Sequence, residues 1–238
     1  MKKRIIRISV GVFVGIAALA AIIWVLTKTL GNAQYPALYA GNTMDYWSQQ
    51  LYGHDVGASN AALAVVNSQL IPQFVDTMFH DTHDSSVRLS LIEVLNGLPG
   101  VQIQYEQADQ RRAEAATCLG DLGPAAKSAL PDLIKALKGK DAAIRGAAIT
   151  SLGKIHSEPE TVIPLLIPYL EDDNLDVAAA SALAEFGSLA KSAVPKLLPL
   201  LHAKDDDDQA AAREALLKID PDAAAKAGVK MKIKKAGK

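Results

Sequence analysis

Leu122-Gly123-Pro124-Ala125-Ala126-Lys127-Ser128-Ala129-Leu130-Pro131-Asp132-Leu133-Ile134 returns 64 residues later as Phe186-Gly187-Ser188-Leu189-Ala190-Lys191-Ser192-Ala193-Val194-Pro195-Lys196-Leu197-Leu198. A third copy, Ile163-Pro164-Leu165-Leu166-Ile167, stands between them, so the steps are 33 and 31 residues. A self-similar period of this length means stacked supersecondary units, none of which can bury its apolar face alone. After each proline, apolar residues follow at the second, third and sixth positions: Leu133, Ile134 and Leu137; Leu166, Ile167 and Leu170; Leu197, Leu198 and Leu201. That spacing is one stripe of an α-helix, not the alternation of a strand. Proline suits a helix start, where its missing N–H would have no intrahelical partner anyway.

Upstream of each proline lies another amphipathic stretch, in which Ile144, Ala148, Leu152 and Ile155 share a helical face. Alanine pairs and triplets crowd these first helices (Ala115-Ala116, Ala147-Ala148, Ala178-Ala179-Ala180, Ala210-Ala211-Ala212). Alanine favours helix and lets neighbouring helices approach closely. Gly123, Gly187 and the stretch His156-Ser157-Glu158-Pro159 mark turns inside the units. Polar runs such as Glu171-Asp172-Asp173-Asn174 mark the breaks between units. The expected fold class is therefore all-α, built from helix–turn–helix units.

These residues resemble HEAT repeats, in particular the bacterial HEAT-like subclass first associated with phycobilisome lyases. The signature Asp-x-x-Ile-Arg-x-x-Ala stands here as Asp141-Ala142-Ala143-Ile144-Arg145-Gly146-Ala147-Ala148. The unit starting near Asp176 lacks the arginine, and Gln209 replaces it in the last unit. The resemblance implies an α-solenoid (an alpha-alpha superhelix) of about five helical pairs over residues 58–220, regular from Arg111 onward. It also implies that Arg88 and Arg145 link adjacent units. The earlier matches are Val87-Arg88 with Leu95 and Leu98, and Ile71-Pro72-Gln73-Phe74-Val75 with Met78 as a second helix. Pro99 to Gln107 fits poorly and reads as a truncated helix or a loop. Met44, Trp47 and Leu51 form the stripe of a leading helix that covers the open end of the stack, capped by Thr43 or Asn42.

The net charge of −1 conceals a strong asymmetry. Lys2, Lys3, Arg4, Arg7 and Lys28 open the chain, and Lys226, Lys230, Lys232, Lys234, Lys235 and Lys238 close it. Between residues 29 and 225 stand 14 basic against 26 acidic residues, a net of −12. Such a body repels polyphosphate, which argues against a nucleic-acid groove. Ile8 to Leu26 is an apolar run that at about 1.5 Å per residue would span roughly 28 Å, close to the hydrocarbon thickness of a bilayer. The basic residues ahead of it predict one N-terminal transmembrane helix with the N-terminus cytoplasmic and the body periplasmic or extracellular. The competing reading is a cleaved signal peptide, whose apolar core is shorter, about 7–15 residues. The expected organisation is a basic N-terminus and anchor over 1–28, a tether over 29–42 and the solenoid over 43–225. Its degenerate part spans 43–110, its regular part 111–220 and a C-terminal cap 221–227. A basic tail over 228–238 closes the chain, suited to anionic lipid, to an acidic polymer or to the chain's own acidic body.

Candidate chemistry is sparse. Cys118 sits among small residues as a buried apolar group. Ser188-Leu189-Ala190-Lys191 spells Ser-x-x-Lys, but no Ser-Asp-Asn or Lys-Thr-Gly completes that site. His80-Asp81-Thr82-His83-Asp84 gathers ligand types that zinc prefers, at a position where a polar turn is expected. Asp205-Asp206-Asp207-Asp208 reads as an N-cap and a favourable charge for a helix dipole rather than a calcium loop. No catalytic residue, metal site or cofactor is assigned. The expected role is a non-enzymatic scaffold for a protein partner. In the resembling family the second helices line the inner surface, which implies Asp132, Lys135, Lys138, Leu165, Pro168, Tyr169, Lys196 and Pro199 as contacts. Two alternatives stand beside it: a phycobilisome-lyase-like chromophore lyase or chaperone, and a metal-binding module around His80 and His83.

Overall fold

The computed structural model describes residues 44–53, 56–81, 84, 89–90, 92–94 and 107–229. The expected span Ile8–Leu26, the tether, Thr43, His83, Val87-Arg88, Leu95, Leu98, residues 99–106 and the tail from 230 lie outside them. Among the described residues there is no strand, and no helix is long and apolar enough to cross a membrane. The chain divides into two compact units, residues 1–37 with 82–108 and residues 38–81 with 109–238. In the smaller, Ile92 is buried and the carboxylate of Asp84 accepts the backbone N–H of Ala108 at 2.9 Å. The larger unit carries the regular repeats.

The first helix of the larger unit, α1 (Met44–Tyr52), buries Trp47 and Leu51, with Tyr46 edge-on to Trp47 at 5.3 Å. The Tyr52 hydroxyl donates to the carbonyl of Leu122 at 2.7 Å, tying α1 to the turn that carries Gly123. Loss of water around the phenol raises its pKa above the usual value. Next come α2 (Val56–Val65), a π-helical turn (Val66–Leu70) and α3 (Ile71–His80), which succeed one another without a break. Here the expectation of a fresh second helix starting at Ile71-Pro72 fails. Pro72 has no N–H for the Ser68 carbonyl and its ring crowds that carbonyl. The backbone answers by widening one turn, so that the N–H of Ile71 reaches back to Val66, and the helix continues.

From Ala108 onward the pairing is regular. First-layer helices are α4 (Ala108–Asp121), α6 (Ala142–Ile155), α8 (Asp176–Glu185) and α10 (Asp206–Ile219). Second-layer helices are α5 (Leu130–Ala136), α7 (Pro159–Leu166) with a 3₁₀ extension (Ile167–Glu171), and α9 (Val194–Leu200). A short α11 (Pro221–Lys226) comes last. The core keeps the sequence period: Leu119, Leu152, Leu183 and Leu216 are all fully buried, as are Leu133, Leu166 and Leu197 in the second layer. Each such leucine contributes about 2 kcal/mol by leaving water.

Two turns share one design and the third does not. Gly123 and Gly187 adopt left-handed φ values of 55° and 52°, each opening a seven-residue 3₁₀ segment that ends at the next second-layer helix. Pro131 and Pro195 then stand at the helix starts, as expected. In the middle unit His156 (φ 50°) and Glu158 (φ 53°) both turn left-handed, and α7 starts at once on Pro159. Pro164 therefore lies inside α7 rather than at its start, which corrects the expectation drawn from its likeness to Pro131. The His156 ring stacks on Phe186 at 4.9 Å, bracing that tight turn against the next unit.

First-layer helices meet through small residues. Side-chain atoms built on Gly120 would meet Ser151, and on Gly153 would meet Ala182, in both cases below 3 Å. Ser151 uses the closeness to donate its hydroxyl to the Ala116 carbonyl at 2.7 Å, although fully buried. Asp141 and Asp205 cap α6 and α10 with side-chain carboxylates; the sequence indicated the second of these caps.

Candidate partner-binding face

The eight residues singled out in the sequence all fall on second-layer segments. Shifted by the repeat steps, Asp132, Leu165 and Lys196 occupy one position of the unit, and Lys135, Pro168 and Pro199 occupy another. The second row is exposed throughout; in the first row, Lys196 is exposed while Asp132 and Leu165 are half-buried. Lys138 is exposed, one turn beyond Lys135. Leucine is kept at the buried equivalents Leu133, Leu166 and Leu197, while the neighbouring rows change from acid to apolar to base and from base to proline. Packing holds the first set constant; nothing in the packing requires the variation of the second.

Some of these residues also stitch the layer together. Tyr169 is half-buried and donates its hydroxyl to the Leu137 carbonyl at 2.9 Å, joining the 3₁₀ extension to the end of α5. Lys196 pairs with Glu171, joining α9 to that extension. The Lys135 amine lies 4.4 Å from the centre of the Phe79 ring, joining α5 to α3. Sequence spacing could not reveal these duties, because each partner is 25 or more residues away. The prolines have the opposite effect. Pro168 and Pro199 remove the N–H groups that the carbonyls of Pro164 and Pro195 would receive in an unbroken α-helix.

Hollows open along this layer. One, of about 760 Å³, is lined by Glu171, Asp173, Asp176, Asp205 and Asp208, with Lys196, Lys204 and a floor that includes Pro195, Pro199 and Leu200. Asp176 is buried and occupies the repeat position of Arg112, so a carboxylate stands where an earlier unit has a guanidinium. The carboxyl of Asp208 is raised above its usual range, first by loss of water, then by the charges of Asp176 and Asp205 and a hydrogen bond to Asp176. An acid whose folded-state pKa is raised burdens the fold when ionised, and the burden fades as pH falls through that pKa. Asp208→Asn is therefore expected to raise the thermal midpoint at pH 7 and to leave it unchanged below about pH 3.5, where the unfolded acid is protonated too. Thermal denaturation at the two pH values checks this.

His80 is exposed and its Nδ1 lies 2.9 Å from Asp76, while Lys191 faces Asp220 at 3.9 Å rather than a nucleophile. Among the described residues no group of three or more His, Cys, Asp or Glu side chains is placed to hold a metal ion. Cys118 is buried and forms no disulfide among the described residues. Arg145 donates to the carbonyls of Gly139 and Lys140 at 3.0 and 2.9 Å, holding the turn between units, while Arg112 pairs with Asp141 of the next unit at 3.1 Å.

The match to a family model agrees with the helical pairs. Residues 101–180 match the family model for HEAT repeats, about a third of the chain. No curated protein matches the chain. Among solved structures, the complex of CpcE and CpcF of phycocyanin lyase from Nostoc sp. PCC7120 is similar at 22% identity and a TM-score of 0.43, covering 75% of this chain. The chain spans 65% of that chain's length, a little under two thirds. An engineered protein is similar at 21% identity and a TM-score of 0.40, covering 78% of this chain and 85% of its own. The regular helical pairs coincide in part with the stretch that matches HEAT repeats.

Proposed function

We propose that this chain is a non-enzymatic scaffold that holds a protein partner on its second-layer face, tethered to the membrane by residues 8–26 with the repeats outside the cytoplasm. The observation that carries the reading is the pair of varying rows, Asp132/Leu165/Lys196 and Lys135/Pro168/Pro199, laid across three units whose buried leucines do not vary. A scaffold uses such rows because the repeat fixes where side chains stand and leaves their chemistry free to match a ligand. The apolar run Ile8–Leu26 and the basic residues before it support the anchor and its orientation. The basic tail would then meet anionic lipid or an acidic polymer.

Recovery of the partner from native membranes tests the reading. Pro168→Glu and Pro199→Glu place new charges on exposed positions and are expected to abolish recovery while helical content stays unchanged. Tyr169→Phe removes only the hydroxyl bonded to Leu137 and separates stitching from recognition. Full recovery with both proline variants would remove this face from the account.

A further inference from the structure

In a body where acids outnumber bases, five of the ten described lysines pair with a carboxylate. Lys127 pairs with Glu158, Lys154 with Asp121, Lys191 with Asp220, Lys196 with Glu171 and Lys218 with Glu185. Lys135, Lys138 and Lys140 form no ion pair among the described residues, and all three line one hollow of about 480 Å³. Met78, Phe79, Ala136 and Ile144 supply its apolar lining. Arg112 and Asp141 also line it, but they neutralise each other at 3.1 Å, and Asp141 is further engaged in capping α6. The three lysines therefore leave a net of three positive charges around an apolar floor.

A helix C-terminus attracts cations, and the end of α5 accounts for part of this charge. It does not account for three uncompensated lysines converging with Phe79 on one hollow. Nor is the sign a property of the repeat: the hollow at the α9–α10 junction is lined by five carboxylates against two lysines. We infer that the basic hollow is a binding site for an acidic segment of a partner protein. Its carboxylates would meet the three amines, and an apolar neighbour would cover Phe79, Met78 and Ile144. A bare phosphate fits less well. Lysines are point charges without the planar fork that grips phosphate on two sides, and the one guanidinium present is already held by Asp141.

The inference rests on the scaffold reading and names the chemistry of part of its partner. Its test uses the full-length chain in a non-ionic detergent, with fluorescence anisotropy of a labelled peptide that alternates Glu and Leu. Binding should weaken about tenfold in a Lys135→Gln/Lys138→Gln/Lys140→Gln variant and fall as salt rises, whereas Lys226→Gln should change nothing. The same peptide with Gln for Glu should not bind. Equal affinity in the triple variant would overturn the site. So would displacement of the peptide by equimolar inorganic phosphate, or lysine-dependent binding to phosphatidylglycerol vesicles without peptide binding. Partner recovery that survives the triple substitution but is lost with Pro168→Glu would overturn this site and leave the scaffold standing.

Discussion

Gly153→Ala is expected to destabilise the protein by about 2 kcal/mol, although the same change in an open helix stabilises by up to about 1 kcal/mol. The new methyl would stand 2.7 Å from the Ala182 Cα, 2.9 Å from its Cβ and 3.0 Å from its carbonyl oxygen. Two of those three are backbone atoms of α8, which cannot swing aside as a side-chain tip would. The helices must part, which loosens the packing around the buried Leu152 and Leu183. In a repeat stack the interface between neighbours carries much of the stability, so a wedge there is felt along the array. Gly146→Ala, in the same helix, is the control. Its methyl would lie 3.4 Å from the flexible Cδ2 of Leu175, and about 0.5–1 kcal/mol of stabilisation is expected. Denaturant titration of the pair checks both signs, and equal effects would contradict the close packing of α6 on α8.

Arg111→Ala is the second large effect, at about 2 kcal/mol of lost stability. Its guanidinium grips Asp81 with two charge-assisted bonds, Nε to Oδ2 at 2.6 Å and Nη2 to Oδ1 at 2.7 Å. Both side chains are largely shielded, at 13% and 26% exposure, so solvent screens the pair less than it would on an open surface. The bond joins the end of α3 to the start of α4, fastening the larger unit across the gap in its chain between Asp81 and Asp109. Arg112→Ala, which breaks a bond of 3.1 Å to Asp141, should cost about 1 kcal/mol. Lys154→Ala, on an exposed pair with Asp121, should cost almost nothing, at most about 0.5 kcal/mol. Thermal midpoints that fail to follow this order would show that the α3–α4 fastening is not what closes that gap.

The fold was legible where its information is local. A proline followed by leucines at helical spacing located α5 and α9, and the aspartate run 205–208 located the cap of α10. The same logic misplaced the start of α7, because Pro164 looks like Pro131 in isolation. What differs is the turn before it, where two left-handed residues replace a glycine and shorten the path. The unbroken run from α2 to α3 was hidden for a similar reason, since Pro72 can either start a helix or widen one.

The candidate face was half legible. The family resemblance implied these residues, and the steps of 33 and 31 residues set six of them in two rows of equivalent positions. It could not find that Tyr169 is bonded to Leu137, that Lys135 rests on Phe79, or that one hollow is basic and its counterpart acidic. Those facts depend on residues brought together by stacking. The substitution of Asp176 at the arginine position was visible in the sequence, but its burial beside Asp208 was not.

Site-specific photo-cross-linking in native membranes tests the docking-face claim most directly. A photoreactive residue at position 168 or 199 on the second layer should capture one discrete protein, and the same residue at Ser181, exposed on first-layer α8, should capture none. Adducts that form from 181 and not from 168 or 199 would place recognition on the opposite layer and contradict the account.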